Sequence, residues 1–88
     1  MGIENNIPQI AALRQRVEQR FGNPLDVHSD FLQLVAEIEK ELREHISEST
    51  LERVWGYSTR GYNSVSLRTL NVLAKYATGT GWKQFCEL

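Results

Sequence analysis

The residues to test first for chemistry are two histidines, one cysteine, a glycine-flanked threonine and a run of hydroxyls that ends on arginine. His28 and His45 stand far apart, with no cysteine or carboxylate at metal-ligand spacing, and no HExxH, CxxC or EF-hand pattern occurs. They read as surface or boundary histidines. Cys86 has Lys83 three residues before it but no base to hold a thiolate, so it reads as a small core residue beside Phe85. Gly79-Thr80-Gly81 is followed by Trp82-Lys83, an order that a phosphate loop of the form G-x-x-x-x-G-K-[ST] does not allow. A chain this short has little room for a pocket of converging polar groups. The expectation is a protein that is not an enzyme, with no metal, no cofactor and no small-molecule substrate.

The run from His45 to Arg53 carries a different chemistry. Ile46 closes a core at a turn, and the Ser47 hydroxyl caps the helix that follows. Leu51 then faces inward, which leaves Glu48, Ser49, Glu52 and Arg53 outward at the first turns. Hydroxyls, an arginine and a helix N-terminus are groups that meet phosphate and base edges. A carboxylate such as Glu52 can accept from cytosine N4.

The elements that must position this segment are helices. Pro8 to about Arg20 forms a first helix, with Ile10, Leu13 and Val17 on one stripe, Phe21 continuing it and Gly22 as its stop. A second helix spans about 30–44, capped by Ser29 with Asp30 in the first turn. Its stripe is Phe31, Leu34, Val35, Ile38 and Leu42, and its opposite face is Glu37, Glu39, Lys40, Glu41, Arg43 and Glu44. The third covers about 47–56, with Leu51, Val54 and Trp55 inward and Gly56 at its end. Residues 58–64 read as a polar loop. A fourth helix follows a cap at Ser64 or Ser66, with Leu67, Leu70, Leu73, Ala74 and Ala77 inward and Gly79 as stop. Val65-Ser66-Leu67 as a short strand is the less favoured alternative. Thr80 caps a short fifth helix in which Trp82 and Phe85 pack inward. The expected fold class is all-α, a compact bundle of about five helices forming one domain over 1–88.

Composition agrees. The chain has 88 residues, 41% hydrophobic and 24% charged, ordinary values that argue against disorder. The single cysteine permits no internal disulfide, the first ten residues lack a signal-peptide pattern, and no stretch reaches the roughly 20 apolar residues of a membrane span. Cytoplasmic localisation and no membrane partner are the expectations. Net charge is −1, yet residues 1–52 carry ten acids and five bases while residues 53–86 carry five bases and no acid. Such asymmetry suits a face that meets a negative partner.

Ile46, Ser47, Ser49, Thr50, Leu51 and Arg53 resemble the helix-turn-helix of bacterial and phage repressors, in which a G-[VI]-S-x-[ST]-T-[VIL]-[SH]-R run crosses the turn into the recognition helix. His45 occupies the usual glycine position, where a left-handed backbone is expected, and Glu41 the position of a small alanine. More narrowly, Ser47-x-x-Thr50-Leu51-x-Arg53-x-Trp55-Gly56-Tyr57, then Thr69-Leu70-x-x-Leu73-Ala74 and Trp82-x-x-Phe85, is similar to a group of small uncharacterised bacterial proteins and domains. That resemblance covers about residues 30–88 and implies a repressor-like helical fold. The first resemblance implies DNA binding by the 47–56 helix, as in a small transcriptional regulator. Candidate contacts are Ser47, Ser49, Thr50, Glu52, Arg53, Arg60, Tyr62, Asn63 and Arg68, with a dimer on paired half-sites. The alternative is a protein-interaction module, adaptor or antitoxin-like, drawing on the acidic second helix and on a homodimer patch of Ile3, Ile7 and Ile10.

Overall fold

Spacing of three and four between apolar residues dictates most of the architecture. The computed structural model describes residues 2–4, 8–57 and 64–87. Its order is β1 (Gly2–Glu4), α1 (Pro8–Phe21), α2 (His28–Leu42), α3 (Glu48–Val54), β2 (Ser64–Ser66), α4 (Leu67–Thr78) and α5 (Trp82–Cys86). The five helices of an all-α bundle are present. Among the described residues no helix is long and apolar enough to cross a membrane.

α4 is the central element, packing along α1, α2 and α5, while α3 packs on α2. Ile10, Leu13 and Val17 of α1 and Phe31, Leu34 and Ile38 of α2 are all buried, with Val35 and Leu42 packed half-buried against them. Leu51, Val54, Leu70, Leu73 and Ala74 complete the core, and Trp82 and Phe85 stack inward with centroids 5.9 Å apart. Helix ends follow from backbone sterics. Gly22 (φ 99) and Gly79 (φ 84) take left-handed conformations that cost an L side chain dearly.

Several sequence expectations need correction. Ser29 does not cap α2. Val27 is the N-cap and offers no side-chain acceptor to the first-turn amides; the Asp30 carboxylate instead reaches back to accept from the Asp26 and Val27 amides at 3.2 and 3.3 Å, which fixes the chain entering the helix. α2 ends at Leu42, not residue 44, because Arg43 turns left-handed (φ 56). The left-handed residue is therefore Arg43 and not His45. Ser64–Ser66 is a strand, paired antiparallel with β1 through Ile3 and Val65, and only Val65 of the disputed tripeptide is buried. Leu67 opens α4 and is 49% exposed instead of inward; Val72 and Tyr76 are buried in addition. Gly81, not Thr80, is the N-cap of α5, with Gln84 Oε1 accepting from its amide at 3.3 Å. Cys86 is exposed, not core. Of the expected Ile3-Ile7-Ile10 patch, Ile10 is fully buried and takes no part in a surface, while Ile7 lies outside the described residues.

Glu37, assigned to the solvated face of α2, is half-buried and accepts from the Tyr76 hydroxyl of α4. Arg20 lies 5.3 Å over the Tyr76 ring and pairs with Glu41 at 2.7 Å, so one network ties α1, α2 and α4. Burial raises the Tyr76 pKa well above its ordinary 10.0, reinforced by its hydrogen bond to Glu37 and that carboxylate's charge. The folded state thus favours the protonated phenol. Its stabilising contribution is complete below about pH 10, where the unfolded tyrosine titrates, and is lost as pH rises beyond it. Urea unfolding between about pH 8 and pH 11 is expected to show a stability decline that Tyr76→Phe makes shallower. An unchanged slope in the variant would assign the decline to other groups.

Candidate nucleic-acid interface

α3 is only seven residues long and is too short to hold itself together in water. Its ends are therefore fixed from outside. At the N-terminus Ser47 Oγ accepts from the Thr50 amide at 3.3 Å, as expected, and lies 2.9 Å from Thr50 Oγ1 and 3.2 Å from Ser49 Oγ. At the C-terminus Arg14 Nε of α1 donates to the Val54 carbonyl at 2.7 Å. Glu18 Oε2 accepts from Trp55 Nε1 and from the Leu25 amide, both at 3.0 Å. Sequence reasoning missed Arg14 and Glu18 as the residues that hold this helix. They lie on the flank of α1's apolar stripe, a position with no periodic signal. Ser47→Ala is expected to cost about 1 kcal/mol, the usual value of an N-cap, read as a lowered midpoint in thermal unfolding.

The outer face of α3 divides by sign. Glu52 turns toward α2, where His28 Nδ1 lies 2.7 Å from its carboxylate. Thr50 and Arg53 turn the other way and line a groove of about 260 Å³ with Val65, Ser66, Arg68 and Thr69 from β2 and α4. Ser49 is exposed between these flanks. Arg68, the second residue of α4, donates to the His45 carbonyl at 3.1 Å and stands 3.7 Å from Glu44. Ser66 Oγ caps α4 by accepting from the Thr69 amide at 3.2 Å. Two arginines from different elements thus share one groove walled by the N-terminal turn of a 12-residue helix.

Of the expected contacts, Thr50, Arg53 and Arg68 are brought together here. Ser47 and Thr50 are half-buried and engaged in the cap, so Ser49 is the hydroxyl left most accessible. Arg60, Tyr62 and Asn63 lie outside the described residues, as does the loop 58–63 to which they belong. The connection between α2 and α3 runs over residues 43–47, longer than the three to four residues of a helix-turn-helix. Glu41, at the position of a small alanine in repressors, sits on the surface paired with Arg20 of α1.

Other reactive groups lead elsewhere. His45 Nδ1 faces Glu39, and no set of histidine, cysteine and carboxylates among the described residues could hold a metal ion. Partial desolvation and then the Glu87 charge raise the Cys86 thiol above its ordinary value, away from a reactive thiolate. The chain matches no family model, no curated protein and no solved structure. The geometry of the site must carry the functional reading by itself.

Proposed function

We propose that this protein binds DNA, with α3 laid against the duplex and the Arg53–Arg68 groove on the phosphate backbone, as a small transcriptional regulator would. The observation that carries this reading is the convergence of Arg53 and Arg68 on one groove. Phosphate contacts by arginine supply most of the affinity of such proteins and fix their register. Arg68 is already held by the His45 carbonyl, so its guanidinium loses little freedom on binding. The pairing of Glu52 with His28 draws that carboxylate of α3 toward α2 and away from the groove. Ser49 is left to meet base edges or phosphate. Fluorescence anisotropy with mixed-sequence duplexes is the test. Binding should weaken steeply as salt rises, with a log–log slope of about −2 if two phosphates are neutralised. Absence of salt-dependent binding at low ionic strength would overturn the reading.

A second reading, a protein-interaction module, draws on Val27, Leu32 and Tyr57, which are large, apolar and exposed around the start of α2. It gains ground if duplex DNA gives no signal.

A further inference from the structure

One histidine is tied to the helix that carries the candidate interface. His28, the first residue of α2, places Nδ1 2.7 Å from Glu52 Oε2 of α3. An ionised carboxylate only accepts hydrogen bonds, so the hydrogen of this contact sits on Nδ1. Nε2 is then the atom that takes up a further proton, and the side chain is 61% exposed, which lets solvent deliver it. Protonation changes the pair from one net negative charge to none and keeps the bond that holds Glu52 toward α2. The neighbouring charged and titratable groups are engaged elsewhere. In the chain entering α2, the Asp30 carboxylate accepts from the Asp26 and Val27 amides. From α1, Glu18 accepts from Trp55 Nε1 and the Leu25 amide, and the Tyr57 hydroxyl after α3 donates to the Leu25 carbonyl. From α4, Tyr76 donates to Glu37, more than two turns along α2 from His28. On α3 itself, Glu48 lies one turn before Glu52, and Arg53 turns to the opposite flank.

We propose that protonation of His28 strengthens DNA binding, so that the α2–α3 pair acts as a pH-sensitive switch on the interface. The inference rests on the DNA-binding reading of α3. Histidine is the side chain whose charge ordinarily changes between about pH 5 and 8. With His28 neutral, Glu52 stands uncompensated on the helix laid against the duplex and repels phosphates. With His28 charged, that repulsion is cancelled. The Glu52 carboxylate is 21% exposed, so solvent screens it only in part. The pair and the Arg53–Arg68 groove stand on opposite flanks of one helix, about 10 Å across, which is about one Debye length at 0.1 M salt. The added charge is therefore felt by phosphates held in the groove, and its effect fades as salt rises. DNA and the proton favour each other's binding by the same factor. His45, the second histidine of the chain, faces Glu39 of α2 with its ring and meets Arg68 only through its backbone carbonyl.

Fluorescence anisotropy of the full chain with a mixed-sequence duplex, at fixed low salt and between about pH 5.5 and pH 7.5, is the test. Affinity should rise about threefold to tenfold toward the acid end, as one charge acts on several phosphates through water. His28→Gln keeps a donor for Glu52 but takes up no proton, so it should bind at the wild type's neutral-pH level throughout. His28→Lys carries a lasting charge and should bind at the acid level throughout. His45→Gln should follow the wild type. Both histidines are exposed, so circular dichroism should show every variant folded. Wild-type binding that depends on salt but is flat with pH overturns the switch and leaves the DNA-binding reading standing. So does a pH dependence that survives in His28→Gln. No binding at any pH overturns both.

Discussion

Truncating Phe31 to alanine is expected to remove about 3–5 kcal/mol of stability. The side chain is 1% exposed, and its ring is the joint between α2 and the end of α3. Trp55 meets it edge-on with centroids 5.8 Å apart, and Tyr57 does so at 5.7 Å. The Tyr57 hydroxyl then donates to the Leu25 carbonyl at 3.1 Å, which fixes the segment leading into α2. Alanine leaves a cavity that no neighbour can fill without breaking one of these attachments. At about 0.05–0.15 kcal/mol per residue, the whole chain is worth some 4–13 kcal/mol, so the loss is a large share. The seven-residue α3 has no independent stability to fall back on. Urea unfolding of the variant measures the effect. A loss below about 1 kcal/mol would mean that α3 is held by Arg14 and Glu18 without help from this ring.

The difference between what the sequence foretold and what it hid has a physical origin. α1, α2 and the inward pair Trp82–Phe85 were legible because burial against one partner imposes a period of 3.6 on residue type. Ser47 was legible as a cap because its role is local, reaching only to Thr50. β1 was not, since Gly2–Glu4 is a strand only through pairing with Ser64–Ser66 across most of the chain. The same holds for Glu18, which acts on Trp55, and for Glu37, which acts on Tyr76. Both stand on flanks where a solvated carboxylate and a buried acceptor look alike in sequence. Arg43 shows a third kind of miss. A left-handed residue was expected at His45, but which residue of a turn takes positive φ depends on where the helix before it stops. In the candidate site, Thr50 and Arg53 were readable from their spacing on α3. Their meeting with Arg68 depends on how β2 and α4 dock.

That meeting sets the largest functional effect. Arg53→Glu combined with Arg68→Glu is expected to weaken DNA binding by at least about 100-fold at low salt, because two attractive phosphate contacts become repulsive. Arg53→Ala and Arg68→Ala alone should each cost less and reduce the salt slope by about one. Neither residue belongs to the core, and Arg68 is well exposed, so circular dichroism and thermal unfolding should show folded variants. Arg68→Ala also loses the bond to the His45 carbonyl, worth about 1 kcal/mol at an exposed site, and the affinity change must exceed what that loss explains. Glu52→Gln supplies the opposite sign. It removes an anion from the helix face while keeping the side chain's shape, so affinity should rise and the salt dependence steepen. A structural account of the arginine variants does not foresee that gain. If all four variants bind as the wild type does, the groove is not the interface. If the arginine variants fail while Glu52→Gln is unchanged, phosphate contact is confined to the groove and the Glu52 flank of α3 lies off the duplex.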